Sequence, residues 1–152
     1  MSYNFILTSD GEELHFETEH YINDCVRQVF EDLMGPYNCI HWTDADIEWF
    51  LETKGKLANY SFSLTLTEND DNAYIMCLPN NIILENIDKI IICLYGTYLP
   101  SDNVYGNILE NIINIIPVKK ETEILVGWIE DKTINDNSIN VSLITICSDV
   151  LV

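Results

Sequence analysis

"LANYSFSLTLTE", residues Leu57–Glu68, alternates Tyr60, Phe62, Leu64 and Leu66 with Ser61, Ser63, Thr65 and Thr67. A period of two puts the four apolar side chains on one side of an extended chain and the four hydroxyls on the other. The stretch therefore reads as a strand buried on one face, and such a strand needs partners. "NDDN" (69–72) turns the chain into "AYIMCL" (73–78), which completes a hairpin.

Working outward, "YNFILT" (3–8), "SDGE" (9–12) and "ELHFE" (13–17) read as a strand, a turn and a returning strand. Thr18 then has the chemistry of an N-cap for a helix running to about Met34. Tyr21, Ile22, Cys25, Val26, Val29, Phe30 and Leu33 give that helix one apolar face, and Gly35 and Pro36 stop it. A second helix is expected from Thr43 to about Gly55. In Ile83–Tyr95, the residues Ile83, Ile87, Ile90, Ile91 and Leu94 fit helical spacing, with Glu85, Asn86, Asp88 and Lys89 on the other side. "KIIICLY" alone has the composition of a core strand, but the spacing favours a third helix. A fourth covers Val104–Ile115 and ends before Pro117. "EILVGWIED" (123–131), the turn "NDNS" (135–138) and "INVSLITI" (139–146) read as a third hairpin. The expected fold is α+β, an antiparallel sheet built from hairpins with about four helices packed on it, in a single domain over residues 1–152.

The chain holds 25 acidic residues against 7 basic ones, for a net charge of −18. Residues Met1–Met76 carry 15 acidic and 3 basic residues, hence −12; Cys77–Val152 carry 10 and 4, hence −6. A field of this sign repels nucleic acid and anionic membranes and attracts basic proteins, although acidity also serves plain solubility. At 47% hydrophobic residues the chain is too apolar to be a disordered acidic tail. No window reaches the roughly 18 uncharged apolar residues of a membrane span. The start of the sequence lacks the basic segment of a signal peptide. Cys25, Cys39, Cys77, Cys93 and Cys147 are odd in number, scattered and without a CxxC pair, and most lie among apolar residues. Buried, reduced thiols in a cytoplasmic protein are expected.

The chemistry-bearing motifs are few. A calcium loop starting at Asp44 would need Gly where Trp49 stands and Glu where Gly55 stands. "ENDDN" (68–72) offers oxygen ligands in what reads as a solvated turn. Cys39 and His41 supply two zinc ligands where four are usual, and a Cys–His nucleophile would need a partner brought from elsewhere. His15, in a strand, and His20, near a helix start, read as structural. Glycines are spread singly, with no phosphate-binding loop. Neither catalytic residues, nor a metal site, nor a cofactor is expected.

"HWTDADIEWFLE" (41–52) is the densest cluster, with four carboxylates and two tryptophans in twelve residues. Ile47, Phe50 and Leu51 share one side of the expected helix, and Asp44, Glu48 and Glu52 form a ridge at i, i+4 and i+8. Like charges at that spacing cost a helix about 0.2–0.5 kcal/mol per pair, which Asp44 and Asp46 partly recover at the helix N-terminus. Trp49 points away from the apolar side. It either meets a second layer of the protein or anchors a partner. Trp42, Asp44, Asp46, Glu48, Trp49 and Glu52 are therefore candidate partner-binding residues, with Glu68, Asp70 and Asp71 as a further acidic patch.

A small acidic α+β chain with scattered cysteines and no catalytic motif resembles the immunity proteins of bacterial polymorphic-toxin and contact-dependent growth inhibition systems. The resemblance covers the character of the whole chain. It implies a non-enzymatic inhibitor that binds a basic protein, a cognate toxin or nuclease domain, and blocks its active site. No binding of nucleic acid or membrane is implied. The chain also resembles phage-encoded DNA mimics that inhibit nucleases. The alternative from another class is a small enzyme whose site is assembled from distant residues.

Overall fold

A computed structural model describes residues 2–40, 42–66, 74–76, 85–97, 102–116, 118–135 and 138–148. Strands β1 (Tyr3–Ser9) and β2 (Glu12–Thr18) form the first hairpin, as expected. Asp10 and Gly11 between them both have positive φ, 50° and 78°. That is the signature of a two-residue turn whose twist matches the strands. Phe5, Leu7 and Phe16 are buried beneath the hairpin, with the Phe5 and Phe16 rings stacked 4.9 Å apart.

Helix α1 (Asp24–Met34) starts later than expected. Thr18 is paired with Tyr3 in the hairpin, so the cap is Asn23, whose side-chain oxygen accepts from the Val26 N–H at 2.8 Å. Val26, Val29, Phe30 and Leu33 are its buried face. Helix α2 (Asp44–Leu51) buries Ile47, Phe50 and Leu51. Gly55 then turns the chain into β3 (Lys56–Leu66) at φ +139°, with the Cys147 carbonyl oxygen only 2.3 Å from where a Cβ would stand. Only glycine fits that approach, and it fixes how closely the end of α2 sits on the sheet.

In β3, Tyr60, Phe62 and Leu64 face a core while Ser61, Ser63 and Thr65 are exposed. β4 (Tyr74–Met76) pairs with β3 antiparallel, giving the second hairpin. Its acidic turn lies outside the described residues, as does Cys77.

The next segment differs from expectation. Ile87–Gly96 is a strand, β5, and not a helix; residues 83 and 84 lie outside the description. β5 occupies the sheet interior, with Ile91 and Cys93 facing one core and Ile90, Ile92 and Leu94 the other. Fully burying such a side chain contributes roughly 1.5–3 kcal/mol, whereas helix propensities among ordinary residues differ by less than about 0.7 kcal/mol. Burial on both faces wins.

Helix α3 (Asp102–Ile115) leads to β6 (Glu123–Glu130) and β7 (Ser138–Cys147). These last two strands do not form a hairpin. The sheet order is β4-β3-β7-β5-β6, with β6 parallel to β5 and β7 antiparallel to both β3 and β5. Parallel neighbours need a crossover, and α3 supplies it. Three helices, not four, are present among the described residues. The class is α+β. Helix α3, through Ile108 and Ile112, covers one sheet face; α1, α2 and the β1–β2 hairpin cover the other.

Candidate functional site

The carboxylate ridge of α2 is one wall of a larger feature. Glu48 and Glu52 line a groove of about 490 Å³ whose other wall is the end of β2, including Glu17 and Glu19. All four carboxylates are exposed. Lys54 is the one ammonium among the described residues lining the groove, and Phe16 and Leu51 give it an apolar floor.

The two walls are tied together at one end by His20, which is 8% exposed. Its Nε2 lies 2.7 Å from the Thr53 carbonyl oxygen, and a carbonyl only accepts, so that nitrogen carries the proton. The His20 backbone N–H donates to Thr18 Oγ1 at 3.1 Å. His15 stands exposed at the rim, 3.7 Å from Glu13.

The other residues singled out from the sequence fall in different places. Trp42 belongs to the core and not to the surface: it is 6% exposed, and its indole N–H donates to the Val126 carbonyl at 2.9 Å. Asp46 is occupied at the start of α2, where its carboxylate accepts from the Thr43 N–H at 2.8 Å. This is the reciprocal half of a capping box. Asp44 is exposed on the first turn and accepts from the Ala45 N–H, outside the groove lining. Trp49 is half-buried against the core, with Lys89 over its ring. Glu68, Asp70 and Asp71 lie outside the described residues, as does His41.

Glu17 and Glu19, the wall opposite the ridge, were not among the expected residues. The signal was present: in Glu13, Leu14, His15, Phe16, Glu17, Thr18 and Glu19 the charged or polar positions alternate with residues that pack inward.

A second region gathers polar groups beneath α1. Tyr95 donates to Asp32 Oδ2 at 2.8 Å, and Gln28 donates to Asp32 Oδ1 at 3.0 Å. Burial, followed by the negative charges of neighbouring groups, raises the Tyr95 hydroxyl far above its ordinary range. A neutral phenol already bonded to a carboxylate holds α1 against β5; it is no base.

The thiols depart from expectation in part. Cys93 is buried and Cys147 half-buried, but Cys25 and Cys39 are exposed. Burial pushes Cys93 up to about 12, and burial with the charge of Glu130 raises Cys39. Both shifts disfavour the thiolate a nucleophile needs. Among the described residues, no three His, Cys, Asp or Glu side chains gather as a metal-binding group, and no helix is long and apolar enough to cross a membrane. No protein-family model and no curated protein matches the chain.

Proposed function

We propose that this chain is a non-enzymatic inhibitor that binds a basic protein, and that the groove between β2 and α2 is the binding surface. The carrying observation is convergence: Glu17 and Glu19, at the end of β2, and Glu48 and Glu52, on α2 and at its C-cap, line the same groove in a chain of net charge −18. Solvated carboxylates on two rigid elements cost little to leave exposed, and they complement the Lys/Arg-rich groove where a nuclease holds phosphate. Complementary fields of this kind raise association rates toward ~10⁸–10⁹ M⁻¹s⁻¹ at low salt. An immunity protein acting on a toxin nuclease of its own cell fits this design. A cytoplasmic setting fits the free thiols.

The test is to purify the product of the adjacent gene and follow its association with this protein by stopped flow across a range of salt. A basic toxin domain that associates more slowly as salt rises, and more slowly still with Glu48→Lys/Glu52→Lys, is the expected result. Glu110→Lys, on the exposed side of α3, should have a smaller effect. Rates indifferent to salt and to the paired reversal would refute the proposal.

A further inference from the structure

We infer that the outer edge of β2 takes up an extended segment of the basic partner as an added strand, so that the groove reads backbone as well as charge. This rests on the basic-partner proposal above and specifies how that partner is held.

The argument starts at the turn. A two-residue turn at Asp10–Gly11 makes Ser9 and Glu12 the closing hydrogen-bonded pair. Alternation along an antiparallel ladder then leaves Thr8/Glu13, Ile6/His15 and Asn4/Glu17 as pairs whose backbone groups point away from each other. On the β1 side, the Thr8 N–H is taken by Glu31 at 3.3 Å. On the β2 side, the outward backbone groups of Glu13, His15 and Glu17 meet no partner among the described residues.

Of these residues, His15 and Glu17 line the groove. His15–His20 line it consecutively. Successive side chains of a strand point to opposite faces, so consecutive lining residues within β2 place its edge, and not one face, along the groove. At about 3.3 Å per residue, His15–Thr18 offers about 10 Å of edge, enough for three or four guest residues. The β6 edge of the larger sheet is treated differently. Along β6, Cys39 N–H donates to the Trp128 carbonyl at 2.8 Å and Glu130 N–H to the Tyr37 carbonyl at 2.9 Å, so residues 37–39 cover its Trp128–Glu130 end.

Charge selects the occupant. A second copy of β2 would set Glu13 and Glu17 against one another, and like charges across a ladder are unfavourable. A guest strand with Lys or Arg at alternate positions meets Glu17, Glu48 and Glu52, while its intervening side chains face Phe16 and Leu51. The occupant is thus an extended segment alternating cationic with small apolar residues.

The probe is a capped peptide of alternating Lys and Val, titrated by calorimetry alongside a copy N-methylated on every second amide. His15→Pro removes an outward N–H without touching the β1–β2 ladder, and Ile6→Pro does the same on the opposite edge as a control. Binding should weaken about tenfold with His15→Pro and with the methylated peptide, and stay unchanged with Ile6→Pro. Equal binding by His15→Pro and by the methylated peptide would overturn strand addition while leaving basic recognition intact. So would binding of polylysine without binding of the Lys–Val peptide. If neither cationic probe binds the unaltered protein, the basic-partner proposal falls as well. Circular dichroism checks the proline variants, and should His15→Pro fail to fold, the methylated peptide decides alone.

Discussion

Lys89 holds its ammonium 3.6 Å from the centre of the Trp49 ring and donates a 2.6 Å hydrogen bond to the carbonyl of the same residue. The lysine is 7% exposed and projects from β5, so Trp49 serves as the lid over a desolvated cation. Stacking of this kind contributes up to about 2 kcal/mol when water is excluded. Trp49→Ala should cost about 3 kcal/mol in chemical denaturation, since it both empties a packed site and uncovers a charge. Lys89→Met, which removes the charge and keeps the stem, should cost less than about 1.5 kcal/mol. A Trp49→Ala protein as stable as the parent would exclude the lid.

Gly55→Ala tests the joint between α2 and the sheet. A methyl group there meets the Cys147 carbonyl oxygen at 2.3 Å, on a backbone at φ +139°. The two nearest atoms belong to the Cys147 backbone, which cannot swing aside as a side chain can. The variant should lose more than about 1 kcal/mol of stability, seen as a lower melting temperature. An unchanged melt would show that the joint is looser than described.

Thiol labelling separates the cysteines by exposure. A maleimide at neutral pH should modify Cys25 first and Cys39 more slowly, because burial and Glu130 raise the latter. Cys93, pushed up to about 12, should react only when the protein is unfolded. Peptide mass mapping reads each site, and early modification of Cys93 would contradict its placement between α1 and the sheet.

Acid stability should depend on Asp88. The Ser148 hydroxyl donates to its carboxylate and Lys119 pairs with it at 3.1 Å, and together they hold the carboxyl below its ordinary value of 3.8. A depressed folded value means the stabilisation is fully present above the unfolded value and is lost as pH falls through the folded one. Urea midpoints measured downward from about pH 6 should therefore fall more steeply below about pH 4 in the parent than in Asp88→Asn. Parallel curves would show that the contact contributes nothing.

Much of this architecture was legible because burial on one face leaves a period. Tyr60, Phe62 and Leu64 alternate in β3, and Val26, Val29, Phe30 and Leu33 recur helically in α1. β5 hides its strand period for the opposite reason: with Ile90 to Leu94 buried on alternating sides, both faces are apolar and no alternation survives. Turn chemistry misled at "NDNS", which marks a change of direction but not which strand the chain returns to. The groove was half legible. Glu48 and Glu52 follow from helical spacing, but that Glu17 and Glu19 face them is a property of packing between elements. Trp42 shows the limit of reading tryptophan among charges as an anchor, since its N–H finds a carbonyl 84 residues away in sequence.

The position of β7 governs how the chain is made. It pairs with β3, where Lys56 meets Cys147, and with β5, where Ile87 meets the same residue, yet it follows both in sequence. As the chain leaves the ribosome, two strands rich in exposed backbone and aliphatic side chains wait for the one that joins them. Such long-range pairing folds slowly and leaves sticky intermediates exposed. Nascent chains stalled before Ser138 should bind trigger-type chaperones strongly, and those stalled after Cys147 has emerged should release them.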